Sequence, residues 1–330
     1  MSTNSSIVNG HRHDARSTNF KNKSPASDST EGRRSESTSR PVGILLSDTR
    51  NESPQLATDR SKFLIGLGTH GSEVTDSVLR LVEDQFGIFP SSCSHLTVDA
   101  ADGTKYRHPN RHKQFGFNGI GTVAALGKEA FRCVYADVMK NLQLSIEDLD
   151  TSDVNLPVSK SAREALDIVI IAGNGGSSGG ALDESITMAH QLFQKLRVTS
   201  ARLKLYYISH EAALDDPSRT VSQNQRSAVM QTAACNLARL ASDFYTNGRR
   251  EYRQPGTDAF SMPTNERVWA HYVMSGSNGH HRMTLTDDFN LMMSHVILNI
   301  EFTHGGISLE DRVKDSEMLH DFRRNAMDIL

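Results

Sequence analysis

Asp167-Ile168-Val169-Ile170-Ile171-Ala172-Gly173-Asn174-Gly175-Gly176-Ser177-Ser178-Gly179-Gly180 decides the reading of this 330-residue chain. Beyond Asp167 the next five residues are continuously apolar. A strand with that composition is covered by helices on both faces, as in a parallel sheet. Five glycines, two serines and an asparagine then occupy residues 173–180. Side-chain bulk is stripped from the whole turn, as expected where something approaches the backbone closely. A helix is predicted over residues 181–196. Strand, glycine loop and helix in that order aim backbone N–H groups at an anion.

The same design occurs about a hundred positions earlier. Residues 62–67 read as a strand, and residues 72–86 place Val74, Val78, Leu79 and Val82 on one helical face. Between them lies Gly66-Leu67-Gly68-Thr69-His70-Gly71-Ser72, which fits the G-x-G-x-x-G dinucleotide fingerprint. Residues 95–98 form the next strand, closed by Asp99, the acidic residue such a fingerprint uses to hold a ribose. Asp99 lies 28 positions after Gly71, further than the usual spacing of about 20. Residues 100–121 read as loop and residues 122–142 as a helix. A third glycine cluster, Gly116-Phe117-Asn118-Gly119-Ile120-Gly121-Thr122, precedes that helix.

Further strands are expected at residues 202–208 and 268–274, and helices at 222–244, 288–300 and 309–330. Strands and helices alternate over residues 62–300, the pattern of an open, mainly parallel α/β sheet in three layers. Ligands of such sheets sit beyond the carboxyl ends of the strands, where the glycine loops begin. Residues 1–60 are rich in Ser, Thr, Asn, Arg and Asp and bury too little apolar surface to fold, so a disordered tail is expected there.

A net charge of -3 disfavours nucleic acid as a partner. No apolar run reaches the length of a membrane span, and no signal peptide is evident. Three cysteines without a CxxC pair favour a reducing compartment, so a cytoplasmic location is expected. Fourteen histidines include His108 and His112, four apart but separated by Pro109, and the adjacent His280 and His281. None belongs to an HExxH or Cys/His array, and no metal site is expected from them.

With these motifs in place, the order of glycine loops resembles that of the tubulin/FtsZ superfamily of GTP-binding proteins. Its GGGTG(T/S)G signature is similar to Asn174-Gly175-Gly176-Ser177-Ser178-Gly179-Gly180, with matches at Gly175, Gly176 and Gly180 and departures at Asn174, Ser178 and Gly179. Ser177 stands where the family has Thr. Gly119-Ile120-Gly121, followed by Gly127-Lys128-Glu129-Ala130, is similar to the loop and helix on the γ-phosphate side. Phe289-Asn290-Leu291-Met292-Met293 looks like the start of the family's central helix.

The resemblance implies a Rossmann-like nucleotide-binding domain over residues 61–304, of a divergent bacterial kind. It implies GTP or GDP as the bound cofactor, with room for a magnesium ion. Gly66, Gly68, Thr69, His70, Gly71, Ser72, Asp99, Gly119, Gly121, Gly173, Asn174, Gly175, Gly176, Ser177, Ser178 and Gly179 are then the nucleotide-binding candidates on the phosphate and ribose side. Asn278 and Asn290 are the base readers. The family's catalytic NxD pattern is missing. Glu310 or Asp311 substitutes for its acid, unless Ser308-x-x-Asp311 is simply a helix cap. GTP hydrolysis and self-association are the expected activities. After residue 304 the reading leaves only a C-terminal helix over 305–330 and no second family domain. Two other readings stay open: an NAD(P)-binding oxidoreductase using Gly66, Gly68, Gly71 and Asp99, and a non-catalytic module with degenerate loops that binds a partner.

Overall fold

A computed structural model describes residues 60–115, 123–149, 165–208, 214–217, 220–245, 249–252, 260–263, 268–276, 283 and 285–303. The apolar runs become strands β1 (Ser61–Leu67), β2 (Cys93–Asp99), β4 (Ala165–Ala172), β5 (Ser200–Ile208) and β8 (Ala270–Met274). A short β3 (His112–Gln114) lies between β2 and β4 in the chain. These six form one sheet in the order β3-β2-β1-β4-β5-β8, with every pairing parallel. Chain order reverses between β1 and β4. The crevice beyond their carboxyl ends is therefore the topological switch point, the usual ligand position in such sheets. β6 (Arg249–Tyr252) and β7 (Phe260–Pro263) pair antiparallel as a separate two-stranded sheet.

Helices cover both faces of the six-stranded sheet. α2 (Ala124–Leu149) and α3 (Gly176–Leu196) pack on one side, joined there by Leu240 of α4 (Gln223–Tyr245). α1 (Gly68–Phe86) and α5 (Thr286–Phe302) pack on the other. The strands divide their side chains with period two. Phe63, Ile65 and Leu67 of β1, with Ile168 and Ile170 of β4, join the α2/α3 core. Leu64, Val169 and Ile171 join the α1/α5 core. The three-layer α/β reading is thus realised.

Several local expectations are corrected. The stretch 100–121 is not all loop, because residues 112–114 add an edge strand to β2. α2 runs seven residues past 142, since Ser145, Ile146 and Leu149 continue its buried face. α1 and α3 begin inside the glycine loops, at Gly68 and Gly176, rather than after them. The β6–β7 pair was not anticipated. The predicted tail (apart from Arg60), the third glycine cluster and the C-terminal helix lie outside the described residues.

Asp167 opens a buried strand and is matched by charge. Arg60 Nε donates to its Oδ1, and Lys204 Nζ lies 3.2 Å from Oδ2. Lys204 also reaches Glu301 Oε2 of α5 at 3.0 Å, and the Tyr206 hydroxyl donates to Glu301 Oε1 at 2.7 Å. Burial alone would raise the Asp167 pKa, but the fields of Lys204, Lys62 and Arg60 outweigh it and leave it lowered. The network fastens the carboxyl end of α5 to β4 and β5.

Candidate functional site

The first glycine loop is a turn with no spare room. Gly68 has φ +67°, and a Cβ there would lie 2.9 Å from Cβ of Ser178. A Cβ on Gly66 would meet Oγ1 of Thr75 at 2.6 Å and the Gly71 carbonyl at 2.7 Å. A Cβ on Gly71 would strike the Ile171 carbonyl of β4. The three glycines thus serve the turn, the contact between the two loops and the packing of α1 on the sheet. The predicted convergence of the loops is realised through Gly68 and Ser178.

The second loop divides. A Cβ on Gly180 would collide with the Ala124 carbonyl and lie 2.6 Å from the Lys128 nitrogen. A Cβ on Gly127 of α2 would collide with the Gly176 carbonyl. Gly179 faces Thr232 and Asn236 of α4, and Asn236 Nδ2 donates to the Gly179 carbonyl at 3.0 Å. These glycines admit neighbouring helices. The expectation that the whole turn was cleared for a ligand is corrected to that extent. Gly173 and Gly175 differ, since among the described residues no atom would lie nearer their Cβ than 3.6 and 3.7 Å. Gly175 is the N-cap of α3 with φ −66°, and neither α1 nor α3 carries an acidic residue in its first turn. Two helix N-termini therefore face the switch point with no acidic residue in their own first turns.

Thr69, His70, Gly175 and Ser177 retain access to solvent at this end of the sheet, while Gly71, Ser72, Asn174 and Ser178 are buried. Asn174 Nδ2 donates to the Ile208 carbonyl at 3.2 Å, which ties the loop to the end of β5. Asp99 closes β2 as predicted, but its oxygens are engaged. Thr69 Oγ1 donates to Oδ2 at 2.9 Å, and the Ala100 N–H donates to Oδ1 at 2.7 Å. Burial raises the Asp99 pKa, with those bonds opposing. Asp99 holds the first loop in place through Thr69.

Asn290 sits near the start of α5 against α1. Its Nδ2 donates to Glu73 Oε2 at 3.1 Å, while its Oδ1 is buried and has no partner among the described residues. Lys105 Nζ binds the other Glu73 oxygen at 2.8 Å, and His70 Nδ1 lies 4.0 Å from Oε2. Burial pulls the Lys105 ammonium down, but the Glu73 carboxylate more than offsets this and its pKa is raised. Asp216 accepts from both the N–H and the hydroxyl of Thr286, at 3.1 and 2.7 Å, and so caps α5. Glu73, Lys105 and Asp216 were not predicted. Glu73 alone had a signal, as the second residue after the closing glycine of the fingerprint. Gly119, Gly121, Asn278, Glu310 and Asp311 lie outside the described residues.

No protein-family model and no curated protein matches the sequence. Solved structures do match in fold. CetZ2 from Haloferax volcanii, a GTPγS-bound protofilament, has 16% identity and a TM-score of 0.44, over 72% of this chain and 57% of that one. CetZ from Methanosaeta thermophila has 14% identity and a TM-score of 0.42, over 80% of this chain and 58% of that one. TubZ of Clostridium botulinum phage c-st has 10% identity and a TM-score of 0.42, over 74% and 61%. The chain thus spans between 57% and 61% of these three structures. At such identities the likeness concerns fold alone. Among the described residues no helix is long and apolar enough to cross a membrane.

Proposed function

We propose that the chain binds a guanine nucleotide, GTP or GDP, at the β1–β4 switch point. The observation that carries this is the amino end of α3. Gly175 keeps access to solvent and, among the described residues, no atom would crowd a Cβ there, at the start of a helix with no acidic residue in its first turn. Phosphates are held by N–H groups at that terminus and at Gly68, with Ser177 as a hydroxyl donor. A magnesium ion accompanies the phosphates. Asn290 lies on the base side and offers an amide to its edge.

Hydrolysis, in this proposal, proceeds by orienting water and stabilising charge, with Glu310 or Asp311 as the acid. The sequence resemblance extends the proposal to self-association of nucleotide-bound chains. A dinucleotide reading draws on Asp99 at the end of β2, and the engagement of both its oxygens counts against it.

Gly175→Ala is the decisive variant. Among the described residues its Cβ meets only ordinary van der Waals distances and its φ suits alanine, so the fold should be kept at the small cost of alanine at an N-cap, about 0.5–1 kcal/mol. GTP affinity measured by calorimetry should fall at least about tenfold if phosphate approaches the Gly175 backbone. Wild-type chain giving no binding signal with GTP or GDP would overturn the proposal.

A further inference from the structure

The side-chain amide of Asn290 has a donor end and an acceptor end, and the choice between them decides what it can read. Its surroundings make the two ends unequal. Glu73 Oε2 lies 3.1 Å from Nδ2, and a carboxylate offers only acceptors. The amide must therefore turn its NH₂ toward Glu73 and its oxygen away. Lys105 fixes the carboxylate from the other side, at 2.8 Å from Oε1. What remains is a side chain 6% exposed whose Oδ1 is buried and without a partner among the described residues. An acceptor in that state is costly until a donor meets it.

We propose that Glu73 is a positioning residue which orients Asn290 as a hydrogen-bond acceptor and thereby makes the site select a base edge made of N–H donors. Guanine offers such an edge through N1–H and its 2-amino group. Adenine sets the acceptor N1 beside its 6-amino group, so an oxygen pinned toward that edge meets a lone pair. The inference rests on the guanine-nucleotide reading above and supplies the source of its base preference. Asn290 touches the base, Glu73 acts through Asn290 without touching the base, and Lys105 steadies Glu73.

The test is calorimetric titration of the full chain with GTP and with ATP, for wild type, E73Q, the double variant E73Q/N290D and K105M. Thermal unfolding of each checks the fold. Wild type should prefer GTP by about tenfold or more, the scale of one well-made hydrogen bond to a buried group. In E73Q the introduced amide supplies a donor as well as an acceptor, so Asn290 is free to turn over. The preference should fall severalfold while affinity for the phosphates is kept. In E73Q/N290D residue 290 again has only acceptors, one of them met by the new amide, and the preference should return. A residue that merely stabilised the fold would show no such rescue. K105M loosens Glu73 without touching the pair and should shift the preference in the same direction by less, which keeps the test intact if E73Q unfolds. Unchanged preference in both E73Q and K105M, or no recovery in the double variant, would overturn the role of Glu73. Wild type that binds GTP and ATP equally would overturn base selection and leave the phosphate site standing. Wild type that binds neither would overturn both readings.

Discussion

Gly175 and Gly180 stand five positions apart and answer to different neighbours. A methyl group on Gly180 runs into the backbone of α2, which cannot yield as a side chain would. Gly180→Ala should therefore destabilise the protein by about 1–3 kcal/mol or more, the usual range for overpacking, read from urea unfolding. Gly175→Ala should move that midpoint less, by the roughly 0.5–1 kcal/mol that alanine costs at an N-cap, and act chiefly on nucleotide affinity. Composition made the glycine run conspicuous, yet it could not separate the two roles, because the atoms facing each glycine come from helices remote in the chain. The same holds at Asp99. Its place at the end of a strand was legible, but its bond to Thr69 depends on how the first loop folds back.

His95 allows a test that involves no ligand. Burial, then the positive fields of His108 and Arg111, push its imidazole down from 6.5 to about 3. Between those values the unfolded chain binds a proton that the folded one refuses. This contribution to stability is complete above pH 6.5 and is lost as pH falls toward 3, at about 1.4 kcal/mol per unit. Unfolding free energy measured at pH 7, 6 and 5 should show this slope, and His95→Asn should flatten it.

At the scale of elements, α5 is held at both ends. Asp216 caps its first turn, Asn290 meets Glu73 of α1, and Glu301 is locked to Lys204 and Tyr206. Lys204→Met would leave Glu301 and Asp167 buried with one cation fewer between them. A loss of about 3–5 kcal/mol is expected in chemical unfolding, because an uncompensated buried charge costs more than the pair contributes. Element type was readable wherever apolar period was strong, as in β1, β4 and α1. Boundaries failed at glycine. A residue with low helix propensity reads as a stop, yet α1 opens at Gly68, where φ +67° and the close approach of Ser178 require glycine, and α3 opens at Gly176, whose carbonyl faces Gly127 of α2. β3 escaped notice because three polar residues carry no period, and their placement depends on β2.

For the whole molecule, the order β3-β2-β1-β4-β5-β8 puts both glycine loops at one crevice. Alternation of strand and helix implied a parallel sheet, but strand order is a matter of three-dimensional assembly and was not written in local pattern. If the crevice holds nucleotide, binding must stabilise the whole chain. At a free GTP concentration of about 100 times Kd the gain is about 2.7 kcal/mol, which for a domain of this size is a rise of about 5–10 °C in melting temperature. A thermal scan with and without GTP reads this directly.

The pairing of β1 with β4 has a consequence in time. Ser61 is opposite Leu166, 105 residues later, whereas Lys62 is opposite Cys93, only 31 later. A ribosome adding about 5–20 residues per second leaves an interval of about 5–20 s between synthesis of the first strand and of its central partner. Through that interval one edge of Phe63, Leu64 and Ile65 has nothing to bond. An apolar strand in that condition invites pairing with other chains. The junction that builds the switch-point crevice is thus also the seam at which the emerging chain most needs a chaperone.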